Sequence, residues 1–476
     1  MNNNFTNNPS IFNGGYFILN ESRTQCDIEN YTNLIITKED CTQIKSFIIM
    51  LIRNAQKVIK LCSFIISDED IASELTKKCN ESSVAIFLLT QLDDRKFNFD
   101  FLPDEVNAKK EGQQHLSNIS KLNSLGAHVR AATSAHAKFI ICDNSIAMVM
   151  SANMTSMSLN SNPESGIKIG DKQSTMELDK LFDILFQKGT EYTGFTYSGK
   201  SKQLISSRST AVKVELLDLI NTSTIKFTWS NIHMSLYDCI IKIINESKDD
   251  ILLSTYSVVG LDKLPEITVA LQKAIDQGRK VVLFCRAMNY RQDHLENCAV
   301  LNEIGVEIYG DYFNHSKGII SGNIGMLFTA NIDGKYGLIN GFEVGAILSD
   351  NQLKEFRNFI EWQIKTAPFS FKMHPKKETY FKMNKEFQRF KNVSPPNFPK
   401  NFKIFSSLLI NNKIMSTPLY LIMNREQAFF KMRIGNEEFD IDMQDEIITI
   451  KNKAKDKTYD RPTYLLEYDH LQIINT

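Results

Sequence analysis

The chain has 476 residues, 42% hydrophobic and 23% charged, with 55 basic side chains against 55 acidic ones. This is the balance of a soluble globular protein long enough for two to four domains, and a net charge of zero neither favours nor disfavours a polyanionic partner. No stretch approaches 18 consecutive apolar residues, so a membrane-spanning helix is excluded and no membrane insertion is expected.

Taken in chain order, residues 1–40 read as an N-terminal extension. Their opening, MNNNFTNNPS, has neither a basic region nor an apolar run, so no secretory signal is expected and the cytoplasm is the expected location. An amphipathic helix over 42–55 precedes a near-continuous apolar, β-branched run, KVIKLCSFIIS, from Lys57 to Ser67; a helix and then a strand over 84–90 follow. The same series recurs: a helix over 234–246, the run DDILLSTYSVVG from Asp249 to Gly260, a helix, and a strand over 280–286. NSLGAHVRA and NEIGVEIYG then each end a helix at a glycine, Gly126 and Gly305 (305 − 126 = 179), before a short strand. A further helix closes each copy, over 176–188 and 352–365, and the Ser-rich stretch 199–213 reads as the linker between them. Strands alternating with helices imply an α/β fold with a covered sheet in each copy. The division expected is an extension at 1–40, halves at 41–200 and 201–370, and a final region at 371–476. That region opens on a basic segment, with ten Lys or Arg against two acids between Lys365 and Lys403, and ends in short apolar alternations over 402–476 that read as a small β-rich appendix. The eight cysteines form no C-x-x-C pair and read as reduced core thiols rather than disulfides or zinc ligands.

Within the repeat, HAKFIICDNSIAMVMSANMTSMSLNSNPESG from His136 matches HSKGIISGNIGMLFTANIDGKYGLINGFEVG from His315. His136 and Lys138 correspond to His315 and Lys317. Ser151 and Asn153 correspond to Thr329 and Asn331, and Glu164 and Glu343 each follow their histidine by 28 positions. In a strand, side chains at i and i+2 share a face, so each His and Lys aims at one place, and the next strand of the hairpin delivers Ser or Thr and Asn to it. Lysine and asparagine donate to phosphoryl oxygens. One histidine can attack phosphorus while another protonates the leaving oxygen, and a carboxylate on the far ring nitrogen would fix the tautomer, for which Glu164 and Glu343 are the candidates. A lone H-x-K means little, and His374-Pro375-Lys376 is such a chance match, because Gln388, Phe390 and Phe402 stand at its corresponding offsets.

The paired motifs resemble the phospholipase D superfamily over residues 42–365. The resemblance implies two pseudo-twofold-related halves, each a mixed sheet flanked by helices, with one site in the cleft between them that is complete in a monomer. It also implies a metal-independent phosphodiesterase with no cofactor, in which His136 is the nucleophile and His315 the general acid. Lys138, Lys317, Asn153 and Asn331 would then hold the phosphate. Asp143 fills the motif's aspartate position, a structural one in the family, where the second half has Gly322. The aromatic-interleaved basic segment favours a nucleic-acid backbone as substrate, DNA ahead of RNA, in a nuclease of bacterial defence or DNA processing that acts alone or beside an ATPase or helicase. The alternatives are a phospholipase or phosphatidyltransferase acting on lipid head groups, or a non-catalytic nucleic-acid-binding subunit.

Overall fold

The computed structural model describes residues 11–12, 15–81, 83–92, 105–198, 203–208, 224–246, 248–288, 291–335 and 337–373, and the backbone of seven strands between 402 and 474. Side chains are described between 15 and 373, apart from 105–110, 193–198, 203–208 and 292.

Each half is built on apolar strands whose central members are buried on both faces. Val58–Ser63 runs parallel to Ala85–Thr90, which runs parallel to His128–Ala131. On its other side Val58–Ser63 meets an antiparallel arm of Phe139–Cys142, Ile146–Met150, Glu164–Ile169 and Leu34–Lys38. The second half repeats this order with Ile251–Ser254, Val281–Arg286 and Glu307–Asp311 in parallel. Its antiparallel arm is Gly318–Ser321, Ile324–Phe328, Phe342–Ile347 and Ile225–Trp229. The chain is therefore a mixed α/β protein with two ten-stranded sheets of matching topology.

The helices between these strands bury one stripe each. Gln43–Asn54 buries Ile44, Ile48, Leu51 and Ile52, and Ser235–Glu246 buries Leu236, Tyr237, Ile240, Ile243 and Ile244, the i, i+4, i+7, i+8 pattern of a helix lying on a sheet. Gly126 and Gly305 sit just past two other helices at φ +100° and +104°, where a side chain would be strained. One apolar cluster covers the outer face of each sheet. A third draws on both halves, joining Phe139, Phe182 and Leu185 to Phe342, Phe356 and Phe359, and fastens the two sheets' inner faces together. Helices Lys172–Lys188 and Asp350–Thr366 supply much of it.

Residues 15–38, set apart by composition, are integral to both sheets. Gly15–Leu19 pairs with Phe369–Met373 at the edge of the second sheet, burying Phe17 fully, and Leu34–Lys38 pairs with Glu164–Ile169 in the first. The expected linker over 199–213 contains a strand, Gln203–Arg208, which pairs with Tyr192–Ser198 at the equivalent edge of the first sheet. Its Ser-rich composition concealed the strand because an edge strand needs no continuous apolar run. Between 402 and 474 the seven strands form an antiparallel sheet, which Ile11–Phe12 joins by pairing with Tyr464–Ile474, in keeping with a β-rich C-terminal region. The basic segment beyond Met373, with His374-Pro375-Lys376, lies outside the described residues. Among the described residues no helix is long and apolar enough to cross a membrane. The cysteines are free thiols: Cys62, Cys142, Cys285 and Cys298 are buried, whereas Cys26 is exposed.

Asp143 and Gly322 occupy the same hairpin turn in the two halves and solve one problem in different ways. Asp143 and Asn144 both take φ +53°, a left-handed pair suited to a tight turn. The Asp143 carboxylate accepts from the backbone N–H groups of Gln56, Lys57 and Val58 at 2.7–3.1 Å, tying the turn to the start of the central strand. Burial would raise its pKa, but these three donors hold it below the ordinary carboxylate value. At Gly322, φ is +55°, and a Cβ there would stand 2.1 Å from Asp249 Oδ2. The second half thus brings a carboxylate in from the strand side, against a glycine whose positive φ a side chain would strain. Replacing Asp143 with Ala is expected to cost about 1–3 kcal/mol of stability, seen as a lower Tm, with turnover little changed. A loss of turnover above roughly a hundredfold, about 2.7 kcal/mol, at unchanged Tm would contradict this structural role.

Candidate active site

The two copies of the motif meet at the seam between the sheets. Backbone bonds across that seam set the approach: His136 N–H donates to the Phe342 carbonyl at 3.2 Å, Phe342 N–H to that of Ser134 at 2.8 Å, and His315 N–H to that of Pro163 at 3.0 Å. Ser165 and Ser316 share a hydroxyl hydrogen bond of 2.6 Å. Each histidine therefore stands beside the glutamate-bearing strand of the opposite half.

The consequence is an exchange of carboxylates. His136 Nδ1 lies 2.5 Å from Glu343 Oε1, and His315 Nδ1 lies 2.7 Å from Glu164 Oε1. The second oxygen of each glutamate is held within its own half, Glu164 Oε2 by the Ser151 hydroxyl and Glu343 Oε2 by the Thr329 hydroxyl, both at 2.5 Å. Those hydroxyls in turn accept the Ser165 and Val344 N–H groups at 3.0 Å. Both glutamates are fully buried, so their orientation is fixed before any substrate arrives. A carboxylate on Nδ1 places a proton there and leaves Nε2 as the basic atom facing the cleft.

Lys138 and Lys317 are also fully buried. Each donates to the carbonyl of the histidine two residues earlier, His136 and His315 respectively, which folds the ammonium back toward the imidazole. Two lysines against two glutamates leave the constellation neutral when both imidazoles are neutral. A proton on one imidazole would then be matched by the single charge of a phosphodiester. The amide oxygens of Asn153 and Asn331 are buried without a hydrogen-bonding partner among the described residues. Because an amide can turn over to present Nδ2 in the same place, each is equipped to meet a phosphoryl oxygen.

Burial dominates the titration of the site. It pushes both imidazoles down to about 4, with the Lys138 and Lys317 charges acting in the same direction and Glu343 or Glu164 opposing them. Burial also brings Lys138 down to about 7 and Lys317 to about 8. For Glu343, burial would raise the pKa, but His136, Lys138 and the Thr329 hydroxyl outweigh it and keep the carboxylate ionised. The two effects on activity have the same sign. Above about 7–8 the lysines lose the charge that would hold a phosphate, and from there down toward about 4 the fraction of imidazole carrying a transferable proton grows. With a diester that does not itself titrate, kcat/KM is expected to rise as pH is lowered from 8 to 5. A flat profile over that range would contradict the assignment.

The structure gathers His136, His315, Lys138, Lys317, Glu164, Glu343, Ser151 and Thr329 at one seam, with Asn153 and Asn331 two residues beyond Ser151 and Thr329, while Asp143 lies at a hairpin turn tied to the start of the central strand. Two contacts were not foreseen: Phe64 packs on His136 with ring centroids 5.2 Å apart and planes at 74°, and Tyr256 packs on His315 at 5.3 Å and 75°. Among the described residues, Cys285, His294 and Cys298 are a buried group whose ligand atoms lie within 4.8 Å of one another. The His294 ring already serves the backbone on both sides: Nδ1 accepts the Val258 N–H at 3.0 Å, and Nε2 lies 3.1 Å from the Arg286 carbonyl. The ring is thus committed to the protein rather than to an ion.

Residues 48–186 match a family model described as "Cardiolipin synthase, PLD-like domain". No curated protein matches the chain in sequence. Among solved structures it is similar to phosphatidylserine synthase from Haemophilus influenzae Rd KW20, at 14% identity over 80% of this chain and 96% of that one, with a TM-score of 0.50. It is also similar to polyphosphate kinase from Porphyromonas gingivalis, at 13% identity and TM-score 0.46. That match covers 69% of this chain but only 46% of the kinase, less than half its length. Nuc from Salmonella typhimurium, described as a phospholipase D family member, matches at 13% identity over 37% of this chain and 98% of its own, with a TM-score of 0.27. At these identities the likeness to the synthase speaks for the fold. The first half thus matches a PLD-like domain, and the second half writes the same strand order and motif again.

Proposed function

We propose that this chain is a phosphodiesterase that works through a phosphohistidine, with nucleic-acid backbone as its substrate. The observation that carries the reaction is the crossed pair of buried His–Glu contacts, which gives two imidazoles with basic Nε2 atoms beside two buried lysines. In the first step His136 Nε2 attacks phosphorus, and the bond to the leaving oxygen breaks as His315 gives that oxygen a proton. In the second, His315 takes a proton from water, the water oxygen attacks phosphorus, and the P–N bond breaks to restore His136. Lys138, Lys317, Asn153 and Asn331 hold the non-bridging oxygens through both steps.

The choice of nucleic acid rests on the basic, aromatic-interleaved segment between Lys365 and Lys403, whose charges suit a phosphate backbone and whose rings suit stacked bases. A second reading, phosphatidyl transfer, is favoured by the likeness in fold to an enzyme described as phosphatidylserine synthase and by the description of the matching family model. Purified protein is to be incubated in EDTA with labelled DNA, labelled RNA and phosphatidylcholine vesicles. Cleavage of nucleic acid with the vesicles untouched is expected. Activity on the vesicles alone would favour the lipid reading. Activity should survive chelation, because lysines and asparagines supply the charge and hydrogen bonds that metal ions provide in other phosphodiesterases. Complete loss on chelation, restored by Mg²⁺ or Mn²⁺, would overturn the mechanism.

A further inference from the structure

A second motif is written twice at the catalytic offset. His115-Leu116-Ser117-Asn118 lies on helix Glu105–Ser124 and His294-Leu295-Glu296-Asn297 on helix Gln292–Glu303, again 179 positions apart (294 − 115 = 179). Both histidines are fully buried and lie outside the catalytic set. His115 Nδ1 accepts the Ile66 N–H at 3.0 Å, as His294 Nδ1 accepts that of Val258 at 3.0 Å. One turn along each helix, Asn118 donates to the Ile66 carbonyl at 3.1 Å and Asn297 accepts the Leu261 N–H at 2.8 Å. Burial pushes His115 down to about 4, in keeping with a neutral ring whose Nδ1 is an acceptor.

These bonds pin the loop that leaves the central strand of each half, and that loop touches the site in two places. Two residues before Ile66 stands Phe64, packed on His136; two before Val258 stands Tyr256, packed on His315. Ile66 also bridges to Met154, next to Asn153, and Val258 pairs with Ile332, next to Asn331. The Ser63 hydroxyl accepts the Met154 N–H at 3.2 Å, and the Thr255 hydroxyl that of Ile332 at 3.0 Å. Each loop therefore links the aromatic ring against a catalytic histidine to the asparagine beside it.

We infer that His115 and His294 are positioning residues, one imidazole clasp per half, each setting the ring and the asparagine that flank its own half's catalytic histidine. The repeat also decides against a metal at His294. Thr90 lies 3.4 Å from His115 Nε2, much as Cys285 lies 3.9 Å from His294 Nε2. Ile119 stands at the position of Cys298, 179 residues earlier. His115 makes the same backbone bond with neither thiol.

The kinetic half of the test rests on the phosphohistidine reading; the exchange half does not. Leu removes the Nδ1 acceptor at either position, whereas Asn places an oxygen near it. His115→Leu and His294→Leu are expected to lower kcat about tenfold to a hundredfold with KM nearly unchanged, and the Asn variants to recover most of it. The losses should also differ by half. His115→Leu should slow formation of the covalent adduct, and His294→Leu should slow its breakdown so that adduct accumulates. In both Leu variants, amide exchange at Ile66 or Val258 should quicken while the melting transition stays cooperative. Wild-type kcat in a Leu variant, equal losses in Leu and Asn variants, or unchanged exchange would overturn the clasp. So would one zinc per chain in purified protein that His294→Leu removes. If the wild type cleaves no diester, the phosphohistidine reading falls and the clasp is judged by exchange alone.

Discussion

A His315→Ala variant given an aryl phosphodiester is expected to accumulate phosphate on His136, whereas His136→Ala should carry none and leave the diester intact. An aryl leaving group needs little help from an acid, so His136 can still attack when His315 is gone. Water is then poorly activated, and the P–N bond persists. With an oligonucleotide, whose alkoxide leaves badly, His315→Ala should lose on the order of 10²–10⁴-fold in turnover, the usual contribution of a general acid. Intact-mass measurement after a short incubation reads the adduct directly. The reverse pattern would exchange the roles of the two histidines. An active wild type with no phosphohistidine in any variant would replace covalent catalysis with direct attack by water.

The second large effect follows from the exchange of carboxylates across the seam. Glu343→Gln is expected to slow adduct formation and Glu164→Gln to slow its breakdown, each on the order of 10²–10⁴-fold, because each glutamate orients the histidine of the other half. An amide keeps the size of the side chain but no longer enforces the proton on Nδ1, so the imidazole can settle in the wrong tautomer. Rapid mixing with an aryl diester separates the two steps, since the burst reports formation and the steady rate reports breakdown. If each glutamate instead affected the step of the histidine in its own half, the crossed contacts would be without catalytic meaning.

Much of this was legible in the chain. The repeat, both H-x-K pairs and both glutamates could be read at one offset, and the hydroxyl and amide positions within one residue of it, because the same side-chain types recur in both halves. Which glutamate serves which histidine could not be read, since both pairings are compatible with the spacing and only the packing of the two sheets decides. Helix starts were also missed: apolar periodicity begins at Met176, but the helix begins at Lys172, where the Asp171 carboxylate accepts the Ser174 N–H at 2.7 Å. The strands at 15–19 and 203–208 were lost for another reason, being short and at sheet edges. His115 and His294 were in plain view as H-L-x-N at the catalytic offset, yet a histidine on a helix carries no signal until its twin is found.

The crossed glutamates also bear on how two copies within one gene can drift apart. A residue that serves only its own half answers to its local neighbours and can be rewritten alone, and the chain contains such rewriting: Asp143 against Gly322, Phe64 against Tyr256, Thr90 against Cys285. Glu164 and Glu343 answer to two masters, a hydroxyl in one copy and an imidazole in the other. Neither copy holds a complete His–Glu pair within itself. The crossed pairs form only where two halves meet, so the peptide link between them is a means of guaranteeing the encounter rather than a part of the site.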